Sequence, residues 1–560
     1  MKRVINNFIS NQQSLKRISS FKNSLSINRL SSNNYKSNFK NESFNSSSST
    51  STSTSINNNS KILFTTGLGL FGLLTTITYL EEEKKKEINS LNEIRSRIPE
   101  EAIKEFVLLF QDRFVTNIQD RDAHGKDFSY HERQNPDAIF YPLNEEEVIK
   151  FVEICKRFKI PIIPYGSGTS LEGHTIATNG GISIDFRNMR KILQICGDDL
   201  YCIVQPGISY GDLNEELKKQ GYFFPVDPGP GASIGGMVGT SCSGTHAVRY
   251  GTMKDNVLSL RVILPNTNLV NTRSKAKKSS AGYDLTHLFI GSEGTLGITT
   301  EATLKIVPLP ESTRVSMVTF DDIQSASNTV IKTIQSGVHI GRVELMDEVM
   351  MKAVNMASGS SFSEKPTLLF EFEGSEAVVQ EQIEKVELIS KNFNALEFKF
   401  SKTDEEKDGL WLARKIALWS SKVLRPTSEV WITDACVPIS ELSNVIEATK
   451  KDIKKTSLLA PLVAHAGDGN FHLFILFDPT KPNEVKEAKF INHNLVDRSI
   501  KVNGTCTGEH GVSFGKIKYL DQELGHEAVH LMKTIKKAID PDNIMNPGKI
   551  ITVEEFQKDN

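Results

Sequence analysis

Three glycine-rich stretches, each bounded by short apolar runs, constrain this chain most. They are PYGSGTSLEGH (Pro164–His174), DPGPGASIGGMVGTSCSGTHAVRYGT (Asp227–Thr252, with seven glycines) and GSEGTLGI (Gly291–Ile298). Such segments have few side chains with which to pack a core, and they leave backbone N–H groups open to an anion. One glycine stretch alone serves turns and bulges. Three of them between Pro164 and Ile298 predict a long phosphate-bearing ligand bound in an extended form. Apolar runs at Ile182–Asp185, Tyr201–Val204, Leu258–Leu264 and Leu296–Leu304 separate them as strands. Ahead of the first stretch, Ala138–Tyr141, an acid-led amphipathic helix over Asn144–Phe158 and a strand over Ile160–Pro164 read as a β-α-β start. Beyond them, strands at Arg314–Phe320 and Thr367–Glu373 alternate with helical stretches and predict a separate α+β unit.

At 560 residues the chain exceeds a single core, and roughly three or four domains are expected. Its 66 basic and 68 acidic residues leave no global positive field for nucleic acid, so an anionic partner must be recognised locally. Six scattered cysteines without a CxxC pair argue against a disulfide framework or a thiolate zinc site.

The front of the chain differs. Residues 1–60 are rich in Ser, Asn and basic residues, with Glu42 the one acid, which reads as a mitochondrial presequence; a low-complexity disordered tail is the alternative. Within residues 61–80, the uncharged Ile62–Leu80 is long enough to span a bilayer core of about 30 Å, and a helical lead-in covers 81–132. The basic flank before the span puts the amino end in the matrix and the body in the intermembrane space, anchored to the inner membrane. A cleaved sorting signal and a buried apolar helix are the other readings. GLGLFG (Gly67–Gly72) matches the dinucleotide pattern formally, without its strand-turn-helix context.

In LLAPLVAHAGDGNFHLFILF the apolar runs flank a GDGN turn, so a hairpin brings His465 and His472 together. GTCTGEHGV sets Glu509 and His510 between glycines. Two imidazoles and a carboxylate make a catalytic metal set with an open position; strand histidines satisfied by local hydrogen bonds are the alternative. A single helix over GLWLARKIALWSSKV carries Trp411, Arg414 and Trp419, and spacing alone reads Arg414 as a surface residue.

In order and composition the three glycine stretches, with HAGDGNFH and GEH after them, resemble the vanillyl-alcohol oxidase type of FAD-binding flavoprotein, most closely its D-lactate dehydrogenase branch, over roughly Pro136–Ile550. The resemblance implies an α+β chain: a vanillyl-alcohol oxidase (PCMH-type) FAD-binding domain at 133–312, an FAD-oxidase substrate and metal domain with a C-terminal helical segment at 313–550, and a tail at 551–560. It implies FAD contacts at Gly166, Ser167, Gly168, Thr169, Ser170, Ser233, Gly235, Gly236, Thr240, Ser243, Gly244, Glu293, Gly294 and Ile298, with Asn546 of DPDNIMNPGKI returning to the flavin. His246 stands where the family has Asn, and His174 or His246 would be the tether if the flavin were covalent, although this branch usually holds it without one. His465, His472 and Glu509 become ligands of a divalent metal, with Zn, Mn or Fe compatible with the donors and Zn or Mn preferred. Arg414 becomes the anchor of a substrate carboxylate and His510 the base. In VWITDACVPIS the apolar Ile432 replaces a lysine suited to a second carboxylate, which favours a monocarboxylate. The expected activity is D-lactate oxidation by hydride transfer to FAD, with cytochrome c as acceptor; D-2-hydroxyglutarate, glycolate and a non-redox ether-lipid synthase role are the alternatives.

Overall fold

The computed structural model describes residues 97–557. The leader at 1–60 and the apolar Ile62–Leu80 lie outside the described residues. Among the described residues no helix is long and apolar enough to cross a membrane.

The β-α-β start forms for local reasons. Asn144 accepts the Glu147 backbone N–H and caps the helix Glu145–Phe158, whose first turn holds Glu145, Glu146 and Glu147 and whose last turn holds Lys156 and Arg157; each group complements the helix dipole. The buried face of this helix joins one apolar cluster with Phe106, Phe110, Phe140 and Ile182. It covers a four-stranded sheet ordered Phe114–Val115, Ala138–Phe140, Ile182–Asp185, Ile162–Tyr165, in which the last three strands run parallel. Ring centroids lie 4.2 Å apart for Phe110 and Phe140 and 4.8 Å for Phe140 and Phe151.

A five-stranded sheet follows, ordered Ile192–Cys196, Tyr201–Val204, Ile298–Lys305, Val257–Ile263, Leu269–Asn271 and antiparallel throughout. The long glycine stretch contributes to its core, which corrects the expectation that Asp227–Thr252 has almost nothing to pack with. Residues Ile234–Thr240 form a short helix with Ile234, Met237 and Val238 buried, in one cluster with Val204 and Leu260. Apolar residues at i, i+3 and i+4 make one face, and the glycines make the other.

The third sheet has eight strands. Its path is Glu397–Phe400, Ser312–Thr319, Thr367–Gly374, Ile340–Met346, Leu462–His465, Asn470–Phe477, Glu429–Ile432, and Ala435–Cys436 pairs beside it. Strand alternation sorts its residues between two faces. Val343, Leu345, Phe370, Phe372, Leu462, Ala464, Phe471 and Leu473 enter the largest apolar cluster, together with helices Ile323–Gln335, Glu376–Asn392, Leu442–Ile453 and Pro482–Lys501. The opposite face is apolar at Met346, Leu369, Val463 and Phe474, where Trp411 and Met350 pack. Further along that face come Arg342, Glu344, Glu371, Glu373, His465 and His472.

The chain finally returns to the first sheet. Ile162 donates its N–H to Ile544 O at 2.7 Å and accepts from Asn546 N at 2.8 Å, so residues Ile544–Asn546 extend the parallel edge beside the first glycine loop. Phe151 is fully buried, and Phe151→Ala is expected to cost about 3–5 kcal/mol. A lower denaturant midpoint for the domain checks this, with Phe151→Leu retaining much of the difference.

Candidate active site

The hairpin brings the two predicted histidines to one point. His465 ends its strand opposite Asn470, and His472 lies opposite Val463, so both rings project from the same face. His465 Nε2 and His472 Nε2 each lie 3.2 Å from the same oxygen, Glu509 Oε1. The other edge of each ring is held: His465 Nδ1–H donates to Glu344 Oε1 at 2.7 Å and His472 Nδ1–H to the Thr433 carbonyl at 3.0 Å. Those bonds hold Nδ1–H on each ring and aim each Nε2 at the shared point, which is how proteins orient metal-binding imidazoles. The donor atoms of His465, His472 and Glu509 lie within 4.8 Å of one another, and the set fits a divalent cation with mixed nitrogen and oxygen donors. Burial opposes the charge on His465, but the Glu344 and Glu509 carboxylates outweigh it and hold the imidazole well above its ordinary range. Burial would likewise raise the Glu509 carboxyl, and the two imidazoles hold it well below the usual range.

Asp434 organises the loop that presents Glu509. Its Oδ2 accepts the backbone N–H groups of Glu509 and His510 at 3.0 and 2.9 Å and the Thr507 hydroxyl at 2.7 Å. The His510 ring then stacks on His472, with centroids 4.9 Å apart and planes 9° from parallel, and its Nδ1 is buried without a partner. Burial holds the His510 imidazole down at about 4 against the pull of Asp434, so the ring is neutral at pH 7.

The helix expected over GLWLARKIALWSSKV is two helices, Asp404–Lys415 and Ala417–Leu424, with a break at Ile416. The break leaves Trp411 buried, Trp419 61% exposed and Arg414 in the last turn of the first helix. Arg414 Nε donates to Glu344 Oε2 at 2.7 Å, so the arginine is one carboxylate away from His465 and is no surface residue.

The three glycine stretches meet. A Cβ at Gly166 would stand 2.2 Å from Ser233 Oγ, and one at Gly294, where φ is +71°, would stand 2.6 Å from Pro164 Cγ. Glu293 N donates to Gly239 O at 2.9 Å, and Asn546 Nδ2 donates to Glu293 O at 2.8 Å. None of the hydrogen bonds found among the described residues uses the N–H of Ser167, Gly168, Thr169 or Ser170. Ser233 Oγ, Thr175 Oγ1, His174 Nδ1, Ser513 Oγ and Asn546 Oδ1 are buried without a protein partner. Unpaired buried groups of this kind are matched by a polar ligand or by ordered water, and open N–H groups on a glycine loop suit a ligand's phosphates. These residues therefore fit FAD.

Other predicted contacts have protein partners: the Glu293 carboxylate accepts from Val512 N and Ser513 N at 2.6 and 2.8 Å, Thr240 Oγ1 donates to Gly236 O at 3.2 Å, and Ile298 is buried opposite Ile263. Gly235 and Gly244 press against Pro206 and Asp227. Ser243 Oγ donates to Glu509 Oε2 at 2.6 Å, which ties the second glycine stretch directly to the histidine cluster.

Residues 309–550 match the C-terminal domain of FAD linked oxidases and residues 136–273 an FAD binding domain. A mitochondrial D-lactate dehydrogenase (cytochrome) of Arabidopsis thaliana is 49% identical over 457 residues, covering 81% of each chain. This chain belongs to the FAD-linked D-lactate dehydrogenase family. It is an FAD-dependent oxidoreductase. A more distant relative, the glycolate oxidase subunit GlcD of Bacillus subtilis, is 36% identical and covers 78% of this chain and 94% of that one. The fold is of the vanillyl-alcohol oxidase type: p-cresol methylhydroxylase with substrate bound superposes with a TM-score of 0.68 at 19% identity, over 81% of this chain and 97% of that one.

Within this flavoprotein His246 is fully engaged by protein groups. Its Nδ1 lies 3.3 Å from Asp227 Oδ1, and its Nε2 lies 3.4 Å from Glu371 Oε1 and 3.5 Å from Glu373 Oε1. Arg342 stands in the same group, 3.1 Å from Glu371 and over the Trp411 ring at 4.8 Å. That guanidinium already supplies the positive charge a cation would bring, so this second cluster of His and Glu is an ion-pair network. His174, the other candidate tether, pairs with Glu293 at 3.2 Å.

Glu344, Asp434 and Arg342 escaped the sequence reading. The one available signal was an acid or base inside an apolar strand run, as in GRVELM and WITDAC, where a charge is tolerated only with partners.

Burial works against a charged His246, but Asp227 outweighs it and holds the imidazole up at about 10. A folded value above the unfolded one gives stability that is complete below about 6.5 and lost as pH rises through about 10. Thermal melts of His246→Asn against the parent should show the widest gap at pH 6.5 and a narrowing gap toward pH 10; a constant gap over that range would contradict the assignment.

Proposed function

We propose that this chain oxidises D-lactate to pyruvate and passes the electrons to cytochrome c. The observation that carries the reading is the meeting of three elements at one place: His465, His472 and Glu509 share a focus, Ser243 of the cofactor loop bonds to Glu509, and Arg414 stands beside them through Glu344. The names of the relatives support the choice of D-lactate and of cytochrome.

Bound FAD supplies the two-electron acceptor, and a divalent cation, Zn or Mn, on His465, His472 and Glu509 supplies Lewis acidity toward the substrate 2-hydroxyl. The Arg414 guanidinium, held by its Nε, turns its terminal nitrogens to the substrate carboxylate as a fork. That contact and the His465 side of the site fix C2 between them. His510, neutral and with a buried ring nitrogen unpartnered, takes the hydroxyl proton. Ile432 pairs with Phe474 and packs in the apolar cluster around Trp411, where a second carboxylate would find no partner. The FAD would be held by Gly166, Ser167, Gly168, Thr169, Ser170, Ser233, Gly235, Gly236, Thr240, Ser243, Gly244, Glu293, Gly294, Ile298 and Asn546, in a domain over 133–312 joined to a substrate and metal domain over 313–550.

The mitochondrial relatives and the basic, acid-poor leader support a mitochondrial location. An inner-membrane anchor at Ile62–Leu80, with the body in the intermembrane space, follows from the length and flanks of that stretch. Glycolate is the second reading, favoured by the relative from Bacillus subtilis.

The purified flavoprotein should be bleached rapidly by D-lactate under anaerobic conditions, weakly by glycolate, and not by L-lactate or D-2-hydroxyglutarate. Faster bleaching by glycolate than by D-lactate would transfer the assignment. His465→Ala and Glu509→Ala should keep the flavin absorbance, lose the metal measured by elemental analysis, and lower kcat by about 10²- to 10³-fold, the scale of several kcal/mol of lost charge stabilisation. His510→Asn should keep both flavin and metal with KM near the parent value, and lower kcat by about 10²- to 10⁴-fold. Near-parental turnover in that variant rules out His510 as the base.

A further inference from the structure

Glu344 is a charged side chain with 0% exposure in the middle of a strand whose neighbouring residues Val343 and Leu345 sit in the main apolar cluster. A buried carboxylate persists only where both oxygens are matched by donors. Here each oxygen has one, and the two donors have different tasks. Oε1 accepts from His465 Nδ1 at 2.7 Å, and Oε2 accepts from Arg414 Nε at 2.7 Å. Glu344 lies opposite His465 in the strand pairing, so the first bond is set by backbone register. The second reaches a helix 70 residues further along the chain. Among the described residues no other side chain bonds both to the histidine cluster and to Arg414.

We infer that Glu344 is a shared positioning residue: one carboxylate aims His465 at the metal point and Arg414 at the substrate carboxylate, so that metal affinity and substrate affinity depend on the same side chain. The inference rests on the metal and hydroxy-acid reading of the site given above. Its physical content is geometric. A guanidinium held through Nε keeps its two terminal nitrogens together as a fork and cannot swing about its long stem. An imidazole held through Nδ1 keeps Nε2 on its focus. Rotation or retraction of Glu344 releases both at once, although His465 and Arg414 make no bond to each other.

The test is Glu344→Gln in the full-length, flavin-loaded protein. The amide keeps the shape of the side chain but presents one acceptor where the carboxylate presents two, so one of the two bonds must be lost or turned. Zn(II) and Mn(II) affinities are measured by competition with a chromophoric chelator in the absence of substrate, and KM and kcat for D-lactate are measured at saturating metal. The expected result is retained flavin absorbance, metal affinity lower by about 10- to 100-fold, and KM higher by about 10-fold even when metal is saturating. The double variant Glu344→Gln with Arg414→Ala should show a KM no higher than Arg414→Ala alone, because both changes act on the same contact. A variant that folds poorly would lose flavin with the rest, and Glu344→Asp then serves, since its retracted carboxylate keeps the charge and is expected to show the same paired losses.

Metal affinity lowered with KM unchanged at saturating metal, KM raised with metal affinity unchanged, or fully additive effects in the double variant each overturn the shared role. A parent protein that binds neither metal nor D-lactate overturns the functional reading itself. A parent that binds both, with Glu344→Gln matching it, overturns this inference alone.

Discussion

The register of three neighbouring strands decides where the chemistry of this protein can be. Glu344 faces His465, and His465 faces Asn470. Side chains alternate with a period of two, so these pairings put Glu344, His465, Asn470 and His472 on one face and send Val343, Leu345, Ala464, Phe471 and Leu473 into the apolar cluster behind. A slip of one residue in the hairpin would drive two imidazoles into that cluster and turn Phe471 and Leu473 toward the carboxylates. The cost is that of burying two unpaired polar rings and losing two buried aromatic and aliphatic side chains, each about 1.5–3 kcal/mol. Apolar burial on the far face thus holds the polar focus in place on the near one.

The same face carries a second economy of charge. Asp227, Glu371 and Glu373 oppose Arg342, Arg249 and His246, and the Glu344 carboxylate opposes Arg414 and His465. None of these groups would be stable in its place alone. Asp227, His246 and Arg249 belong to the glycine-rich stretch, and Arg342, Glu371 and Glu373 belong to the eight-stranded sheet. Hence the ions that satisfy one another also join the second glycine stretch to the eight-stranded sheet, and the Ser243 bond to Glu509 joins that stretch to the histidine cluster.

Local signals in the sequence were strong where local physics decides the outcome. The Asn144 cap, the acids after it and the apolar spacing to Phe158 specify that helix without help from elsewhere, and the GDGN turn between apolar runs specifies the hairpin. The core contribution of the second glycine stretch is hard to see in the sequence, because Ile234, Met237 and Val238 show helical spacing over a single turn, too short to stand out from their glycines. The helix break at Ile416 has no Pro or Gly to announce it. Glu344 was invisible for a different reason: its partner His465 lies 121 positions away, and a lone acid in a strand run carries no sign of which distant residue will meet it. The resemblance supplied Arg414 as an anchor, yet the carboxylate that turns it inward could be found only from the pairing of strands.

The end of the chain shows how such distant constraints close on one another. Ile544–Asn546 adds to the parallel sheet at Ile162, and Asn546 reaches Glu293, which in turn holds the backbone of Val512 and Ser513 just beyond His510. Lys549 adds bonds to the carbonyls of Gly173 and Ile176, at the end of the first glycine loop. The loop that presents Glu509 and His510 is therefore gripped from both sides, by Asp434 between two strands of the eight-stranded sheet and by Glu293 of the third glycine stretch. Because Glu293 is itself held by Asn546, the positions of Glu509 and His510 depend on a segment that bonds to neither of them. A cofactor seated among these loops would bear on the same Glu293 backbone, which links it mechanically to the loop that carries Glu509 and His510.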